Sequence, residues 1–572
     1  MTATTTTVKP DWVLHPRRSP DAAAALARAL GAPLPVAHAL VNRGLDQVER
    51  ARAFLAPALE DLHDPGQMLD LDRAAERILL AIGRGERIFV QGDYDVDGIT
   101  STFLLYSVLL ELGGRAEYRI PHRLRDGYGL TPDAIDEARR RGCTLVVTVD
   151  CGVTAVEAIA YARGHGVDTV VTDHHEPPAE LPPAYAVVNP LRPGCPYPFK
   201  SLAGVGVTFK LVERLLEGRG GLDRARDWLD VVALGTIADV VPLVGENRVL
   251  ARLGLDRLNQ GRRLGLQALV EVAGLAGRRI TSGHVAFVLA PRINAAGRLG
   301  NAEQGLRLLL ARDRQEARDC ADSLEDDNRV RRQHDEAALA EAARRIHDEL
   351  DYPACRSLVL WSESWHPGVI GIVASRLVER YRRPTVLVAL DGERGRGSGR
   401  SLPGLDLTRL LDGCRDLLVA HGGHAFAAGL TVERSQLPAL RARLEALVRE
   451  QSRPEQFVPQ LRLDGEVRVG ECDLDLVEWL ERMAPHGLDN PEPLFRLREA
   501  RIEGVQTVGA GRHVRLTVRD ASGALEAIGF GMGDQAAALA AAPRADLAFV
   551  PTRNDWLGDT RVQLKLRGVR PL

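Results

Sequence analysis

Between about residues 75 and 240, short apolar runs alternate with helical stretches. The runs at 88–90, 145–149 and 169–172 read as buried strands. Strands separated by helices predict βαβ units and a mainly parallel sheet. The first 70 or so residues carry patterned Leu and Ala and read as a helical segment. From 306 to 352 there is no Gly or Pro and charge is dense throughout. That pattern predicts one long exposed helix or a helical hairpin; a continuous helix would span about 70 Å at 1.5 Å per residue. "SLVLW" (357–361) and "PTVLVAL" (384–390) restart an α/β pattern, with glycine-rich loops at 392–399 and 422–429. Beyond about 458, "HVRLTVRD", "ALEAIGFG" and "TRVQLKLRGV" alternate with Gly and Asp turns, the pattern of a small β-barrel. The expected fold is α/β: two α/β domains joined by a helical connector, plus a C-terminal barrel. The expected divisions are 1–70, 71–300, 301–352, 353–457 and 458–572.

Composition narrows the class. At 572 residues the chain is too long for one core, and 45% hydrophobic residues suit a globular protein. The N-terminus has no apolar stretch of the kind a secretory leader needs, and no apolar run reaches membrane-spanning length. Seven scattered cysteines without a CxxC pair argue against disulfides and structural zinc and for a reducing, cytoplasmic setting. A net charge of −3 does not announce a polyanion partner. Only four of the 74 basic residues are lysine, a skew broad enough to reflect base composition.

The chemistry gathers where the strands end. "DYDVDG" (93–98) sets three aspartates at alternate positions before a glycine. This is the opening of an EF-hand, but the twelfth position is Leu104 instead of Glu, and the loop follows a strand. "LVVTVDCG" ends at Asp150, and "TVVTDHH" ends at Asp173, His174 and His175. Parallel α/β sheets place ligands at the carboxyl edge, where such residues pool in one crevice. A fourth acid, Asp239, lies within the apolar "LGTIADVVPL" and needs a partner if buried. Carboxylates crowded together require a cation. An oxygen-rich set with imidazole suits Mg²⁺ or Mn²⁺, with His tilting toward Mn²⁺. A bridging Asp would hold two ions about 3.5–4 Å apart, as in two-metal phosphoester hydrolysis.

In order and spacing, "DYDVDG", "VDCG", "DHH" and "GTIADVVPL" resemble the DHH phosphoesterase superfamily. "HRLRDGYGL" (122–130), "PRINAAGRLG" (291–300), "WHPGVIGIVASRL" (365–377), "GSGRS" (397–401) and "GGHAFAAG" (422–429) extend the likeness to its bacterial single-strand-specific exonucleases, from about residue 40 to near the C-terminus. The resemblance implies a metal-dependent 5′→3′ exonuclease on single-stranded DNA in recombination and repair, releasing mononucleotides. It implies metal ligation by Asp95, Asp97, Asp150, His174 and Asp239, with Asp150 bridging. Asp93 would lie just outside the ligands and orient them, and His175 would face the scissile phosphate. Many superfamily members carry His where this chain has Gln91, which implies weaker hold on one ion.

For the substrate, the resemblance implies a loop over the strand entrance carrying Arg123, Arg125 and Tyr128, with Tyr128 able to stack on a base. Arg292 and Arg298 flank "INAAG"; Arg298, Ser398 and Arg400 would form a 5′-phosphate pocket. His424 would contact phosphate or base. The barrel resembles an OB-fold, with Trp556, Arg553 and Lys565 as candidate contacts. The partners implied are a single strand with a free 5′ end, a single-strand-binding protein and a RecQ-like helicase. Two other readings compete. A phosphodiesterase for short oligonucleotides or cyclic dinucleotides would not need residues 458–572. A non-catalytic replication scaffold would be expected to lack ligands that are present here.

Overall fold

The computed structural model describes residues 10–15, 19–123, 125–127, 129–555 and 559–572. The chain forms two compact units, one of residues 14–323 with 462–572, the other centred on 324–461.

The first unit contains a five-stranded parallel sheet. From one edge its order is Arg115–Arg119, Arg87–Gln91, Cys143–Val149, Asp168–Thr172 and Ala186–Val188. Four of the strands are largely apolar because both faces are covered, whereas the edge strand Arg115–Arg119 is polar and only half-buried. Ile88, Val90, Leu145, Val147 and Val149 join one core with the helices Leu71–Gly83, Val96–Glu111 and Gly204–Leu215. The intervening Phe89 and Val146 join another with Pro132–Arg140 and Val156–Gly164. The second strand in sequence lies on one side of the first and the third on the other. The connections therefore diverge at Arg87–Gln91 and Cys143–Val149, which is where such sheets open a ligand crevice.

The same unit holds the barrel. Its strands are Phe495–Val508, His513–Asp520, Gly523–Gly529, Arg544–Asn554 and Arg561–Pro571, closed by pairing of the first with the fourth. The predicted helical N-terminus is Pro20–Leu30, Leu34–Asn42 and Val48–Leu55. Its apolar side chains, Leu26, Val36, Leu40 and Phe54, share one core with Leu476, Phe495 and Phe549 of the barrel region. This segment, for which the sequence suggests no chemistry, closes the barrel's hydrophobic core.

The charged run after 306 differs from a single 306–352 helix. Its first residues belong to Glu303–Leu310, and a 36-residue helix, Arg314–Glu349, follows. At 1.5 Å per residue that helix is about 54 Å long. A reciprocal cap starts it: Asp313 accepts from the Glu316 N–H at 2.9 Å, and Glu316 accepts from the Arg312 N–H at 3.0 Å.

The second unit has a five-stranded sheet in the order Ala420–Gly423, Ala427–Glu433, Arg394–Arg400, Thr385–Asp391, Leu358–Ser362, in which only the last pair is parallel. The stretches expected to be glycine-rich loops are thus largely strands. Packing explains their glycines. A Cβ on Gly395, Gly397 or Gly399 would lie 2.4 Å from Val388, 2.7 Å from Leu430 or 2.8 Å from Leu407. No described helix is long and apolar enough to cross a membrane.

Candidate metal centre

The loop after Arg87–Gln91 turns tightly into the Val96–Glu111 helix. Gly98 is required there, since a Cβ would fall 2.6 Å from the Asp93 nitrogen. Asp95 caps the helix, accepting from the Gly98 N–H at 3.1 Å. Asp97 instead reaches the first turn of Gly204–Leu215 and accepts from the N–H groups of Gly204 at 2.7 Å and Val205 at 2.8 Å. A helix N-terminus favours that negative charge. Asp150 follows its strand in the left-handed region, φ 59°, a conformation in which Asp is enriched among non-glycine residues. Gly204 makes room for it, because a Cβ there would sit 2.3 Å from Asp150 Oδ1. Asp239 ends the Leu229–Ala238 helix.

These residues converge. His174 Nε2 lies 3.2 Å from Asp150, 3.6 Å from Asp239 and 3.9 Å from Asp97. Ligand atoms of Asp97, His174 and Asp239 lie within 4.8 Å of one another, as do those of Asp93, Asp95 and Asp150, and those of Asp150, His174 and His175. Asp150 is common to two of these sets. Asp93 therefore stands among the potential ligands, whereas the resemblance placed it just outside them.

The electrostatics are those of a cation-binding site. Burial, then Asp95, raises Asp97 to about 7. Burial with neighbouring carboxylates pushes Asp93, Asp150 and Asp239 well above the usual carboxylate range. Burial, then His175, lowers His174 to about 4, and its ring is hydrogen-bonded to the Leu202 backbone. The neutral imidazole is the form that ligates metals. Asp93 Oδ1 is buried with no hydrogen-bond partner among the described residues. The donor set, mostly carboxylate oxygen with one or two imidazoles, fits a hard or borderline divalent ion.

Asp173 is a functional residue for which the sequence reading assigned no role. Buried, it accepts from the N–H groups of Val153, His174 and His175 and contacts His175 Nδ1 at 2.7 Å. Burial opposes its charge, but the His175 ring and these N–H groups outweigh it and hold the carboxyl below its ordinary value. Burial likewise opposes the charge on His175, and Asp173 outweighs it, raising the imidazole. Nδ1 is thus engaged by Asp173. The strand-end position of Asp173 was the available signal.

A cavity of about 180 Å³ opens beside the cluster, lined by Tyr94, Asp95, Asp97, Arg123, Asp239 and Arg298 among others. Arg123 stacks 4.9 Å over the Tyr94 ring. "INAAG" holds the aspartate loop. Asn294 Oδ1 accepts from the Val96 N–H at 3.2 Å, and a Cβ on Gly297 would lie 2.6 Å from the Tyr94 carbonyl oxygen. Arg292 is buried and donates to the Val288 carbonyl at 2.7 Å, a bond within its own helical segment. Gln91 donates to the Gly92 carbonyl at 3.0 Å and accepts from Arg119 at 3.4 Å.

The remaining candidates divide between the two units. Arg298 lines the metal-side cavity, whereas Ser398 and Arg400 belong to the second unit. There Arg400 donates to Ser398 Oγ at 2.9 Å, and both side chains lie against Gly371 in the first turn of Ile370–Tyr381. His424 is exposed in the turn between Ala420–Gly423 and Ala427–Glu433, near the exposed Phe426. The barrel cations are paired, Lys565 with Glu492 at 3.8 Å and Arg553 with Glu478 and Glu481 at 3.4 and 3.3 Å. Arg125 lines a separate polar cavity with His122 and Asp126. Tyr128 and Trp556 lie outside the described residues.

Known proteins resemble this chain along most of its length. The DHH family N-terminal domain matches residues 87–236, the DHHA1 domain 335–450 and the RecJ OB domain 463–568. The chain is 38% identical over 536 residues to the single-stranded-DNA-specific exonuclease RecJ of Bacillus subtilis, covering 93% of this chain and 67% of that protein. The chain belongs to the RecJ family. The RecJ of Salmonella typhimurium is 36% identical over 532 residues, with 88% and 91% covered. The crystal structure of RecJ in complex with Mn²⁺ from Thermus thermophilus superposes with a TM-score of 0.85 at 34% identity, covering 98% of this chain and 80% of that one.

Proposed function

We propose that the protein is a metal-dependent exonuclease that degrades single-stranded DNA from the 5′ end to mononucleotides, in DNA recombination and repair. The observation that carries this reading is the convergence of Asp97, Asp150, His174 and Asp239, the last three within 3.6 Å of one imidazole nitrogen or holding it. Its support is membership of a family whose curated relatives are single-stranded-DNA-specific exonucleases and whose solved structures bind Mn²⁺ and Mg²⁺.

Asp95, Asp97, Asp150, His174 and Asp239 would hold two divalent ions, Mn²⁺ or Mg²⁺, with Asp150 shared and Asp93 at or beside the first of them. Such a pair supplies an activated water and stabilises charge on the phosphoryl oxygens. His175, braced by Asp173, presents Nε2 to the scissile phosphate as a hydrogen-bond donor. Arg123 and Arg298 carry positive charge over the cavity, where the strand's phosphates would pass. Ser398 and Arg400, at a helix N-terminus, form a 5′-phosphate site. His424, Tyr128, Trp556 and Lys565 are further strand contacts, with catalysis in 71–300 and the hold on the longer strand in 458–572. Seven buried, unpaired cysteines suit the cytoplasm. A single-strand-binding protein and a RecQ-like helicase would supply its substrate; the helicase should speed digestion of a duplex that the protein alone leaves intact.

The test is digestion of a 5′-labelled strand, its 3′-labelled twin and a blunt duplex, with Mn²⁺, Mg²⁺ or chelator. Immediate mononucleotide from the 5′ label, a slowly shrinking 3′-labelled strand, an intact duplex and silence in chelator are expected. Activity confined to very short oligonucleotides would replace this reading with a small phosphodiesterase. Tight binding without hydrolysis would replace it with a scaffold.

A further inference from the structure

Three successive polar side chains, Glu246, Asn247 and Arg248, are buried in the first turn of the Gly245–Leu258 helix. Two of them fix the helix end. Glu246 accepts from the Tyr197 hydroxyl at 2.7 Å and the His63 N–H at 2.9 Å and pairs with the buried Lys210 at 3.0 Å. Arg248 donates to backbone carbonyls at Phe54 and Met483. Between them, the fully buried Asn247 side-chain amide donates to two carbonyls that are far apart in sequence, Ser201 and Pro242, the latter at 3.1 Å.

Both carbonyls belong to segments that carry the metal centre. Ser201 precedes Leu202, whose backbone is bonded to the His174 ring, and Gly204 and Val205, whose N–H groups hold Asp97. Pro242 is three residues beyond Asp239. One amide, on an immobilised helix end, therefore ties the supports of His174 and Asp97 to the segment of Asp239.

We propose that Asn247 is a positioning residue of the metal centre. It sets the separation between the 201–205 and 239–242 segments and so presents His174, Asp97 and Asp239 to the ion. This rests on the ligand assignment proposed above. Outer partners that orient ligands typically change metal affinity by about 10–100-fold when removed.

The test measures Mn²⁺ binding to the full-length protein without DNA, from the electron paramagnetic resonance signal of free Mn²⁺. Asn259 provides a matched control, because its amide also donates to two carbonyls, Leu255 at 2.7 Å and Ile280 at 3.0 Å. Asn247→Ala is expected to weaken Mn²⁺ binding about tenfold, while Asn259→Ala, destabilised by a similar loss of hydrogen bonds, keeps wild-type affinity. Equal affinities in the two variants would overturn the proposal. Asp150→Ala separates the two ideas. If it binds Mn²⁺ like wild type, the ligand assignment itself fails. If it loses Mn²⁺ while Asn247→Ala matches Asn259→Ala, only the clamp fails. Should Asn247→Ala not fold, Asn247→Ser, with one shorter donor, is read against the same control and by the same criterion.

Discussion

The acidic cradle at the edge of the parallel sheet and the guanidinium of Arg248 bury charge of opposite sign inside one compact unit. Arg248 is 2% exposed. It donates to five backbone carbonyls, at Phe54, Arg482, Met483, Ala484 and Pro485, and stacks 3.7 Å over the Phe54 ring. Burial, then Arg252 and Arg43, lowers it only to about 9, so it stays charged at neutral pH. The carbonyls that complete it come from the fold itself. The cradle is completed only in part, by the Gly204 and Val205 N–H groups on Asp97 and the Gly98 N–H on Asp95. Its acids face one another and an imidazole, and burial, then the neighbouring carboxylates, raises the proton affinities of Asp93, Asp97, Asp150 and Asp239. A buried charge met by backbone dipoles is finished structure, whereas one met by its own sign is a binding site.

The largest expected effect breaks the cradle. Asp150→Ala should reduce hydrolysis below detection at saturating Mn²⁺. In chelator it should raise thermal stability, since a repelling buried acid is gone. Stability that falls in chelator would mean that the cluster is held by bonds independent of a cation. The matching change at the other centre is Arg248→Met. Five carbonyls lose their donor, and the expected cost is about 3–5 kcal/mol in urea unfolding. That cost should be the same with and without Mn²⁺; a Mn²⁺-dependent cost would tie Arg248 to the metal site.

Protonation should pull the two regions in opposite directions. Metal-free, folded Asp97 keeps its proton to about 7, against an ordinary value of 3.8. The folded state binds that proton more tightly, so the resulting stability is full below about 3.8 and is lost as pH rises through about 7. His486, beside the Arg248 carbonyls, is held by burial at about 4 against an ordinary 6.5. Its contribution is present above 6.5 and is lost as pH falls toward 4. In chelator, Asp97→Asn should flatten the loss on the alkaline side and His486→Gln the loss on the acid side. Unchanged pH profiles in both variants would remove the contrast. The smallest effect concerns the second unit. Arg400→Ala should lower the preference for a 5′-phosphorylated over a 5′-hydroxyl strand about tenfold, as loss of one charge-assisted bond does. Equal preference in wild type and variant would refute the phosphate site.

The barrel illustrates what pattern alone misses. Its alternating strands predict a detachable module. Yet its core includes Leu26, Leu40 and Phe54 from the N-terminus, and Arg248 joins it to the helix that follows Asp239. Removing 462–572 would expose that shared core, so single substitutions are the sounder probe. Glycine content misled in a similar way. At 395, 397 and 399 glycine marks crowded strand packing, not an open phosphate loop.

The sequence by itself determined the parallel sheet, the barrel and the acids and imidazoles that gather at one sheet edge. Local periodicity reports burial on one or two faces, and strand ends in such a sheet share one edge whatever their separation. Only the tertiary structure decided which polar residues support the ligands. Asp173, Asn247, Asn294 and Gly204 act through contacts spanning from one to 198 positions. No periodicity in the chain encodes a hydrogen bond between distant loops. The same holds for the charge on each acid, because proton affinity in a buried cluster depends on distances that exist only after folding.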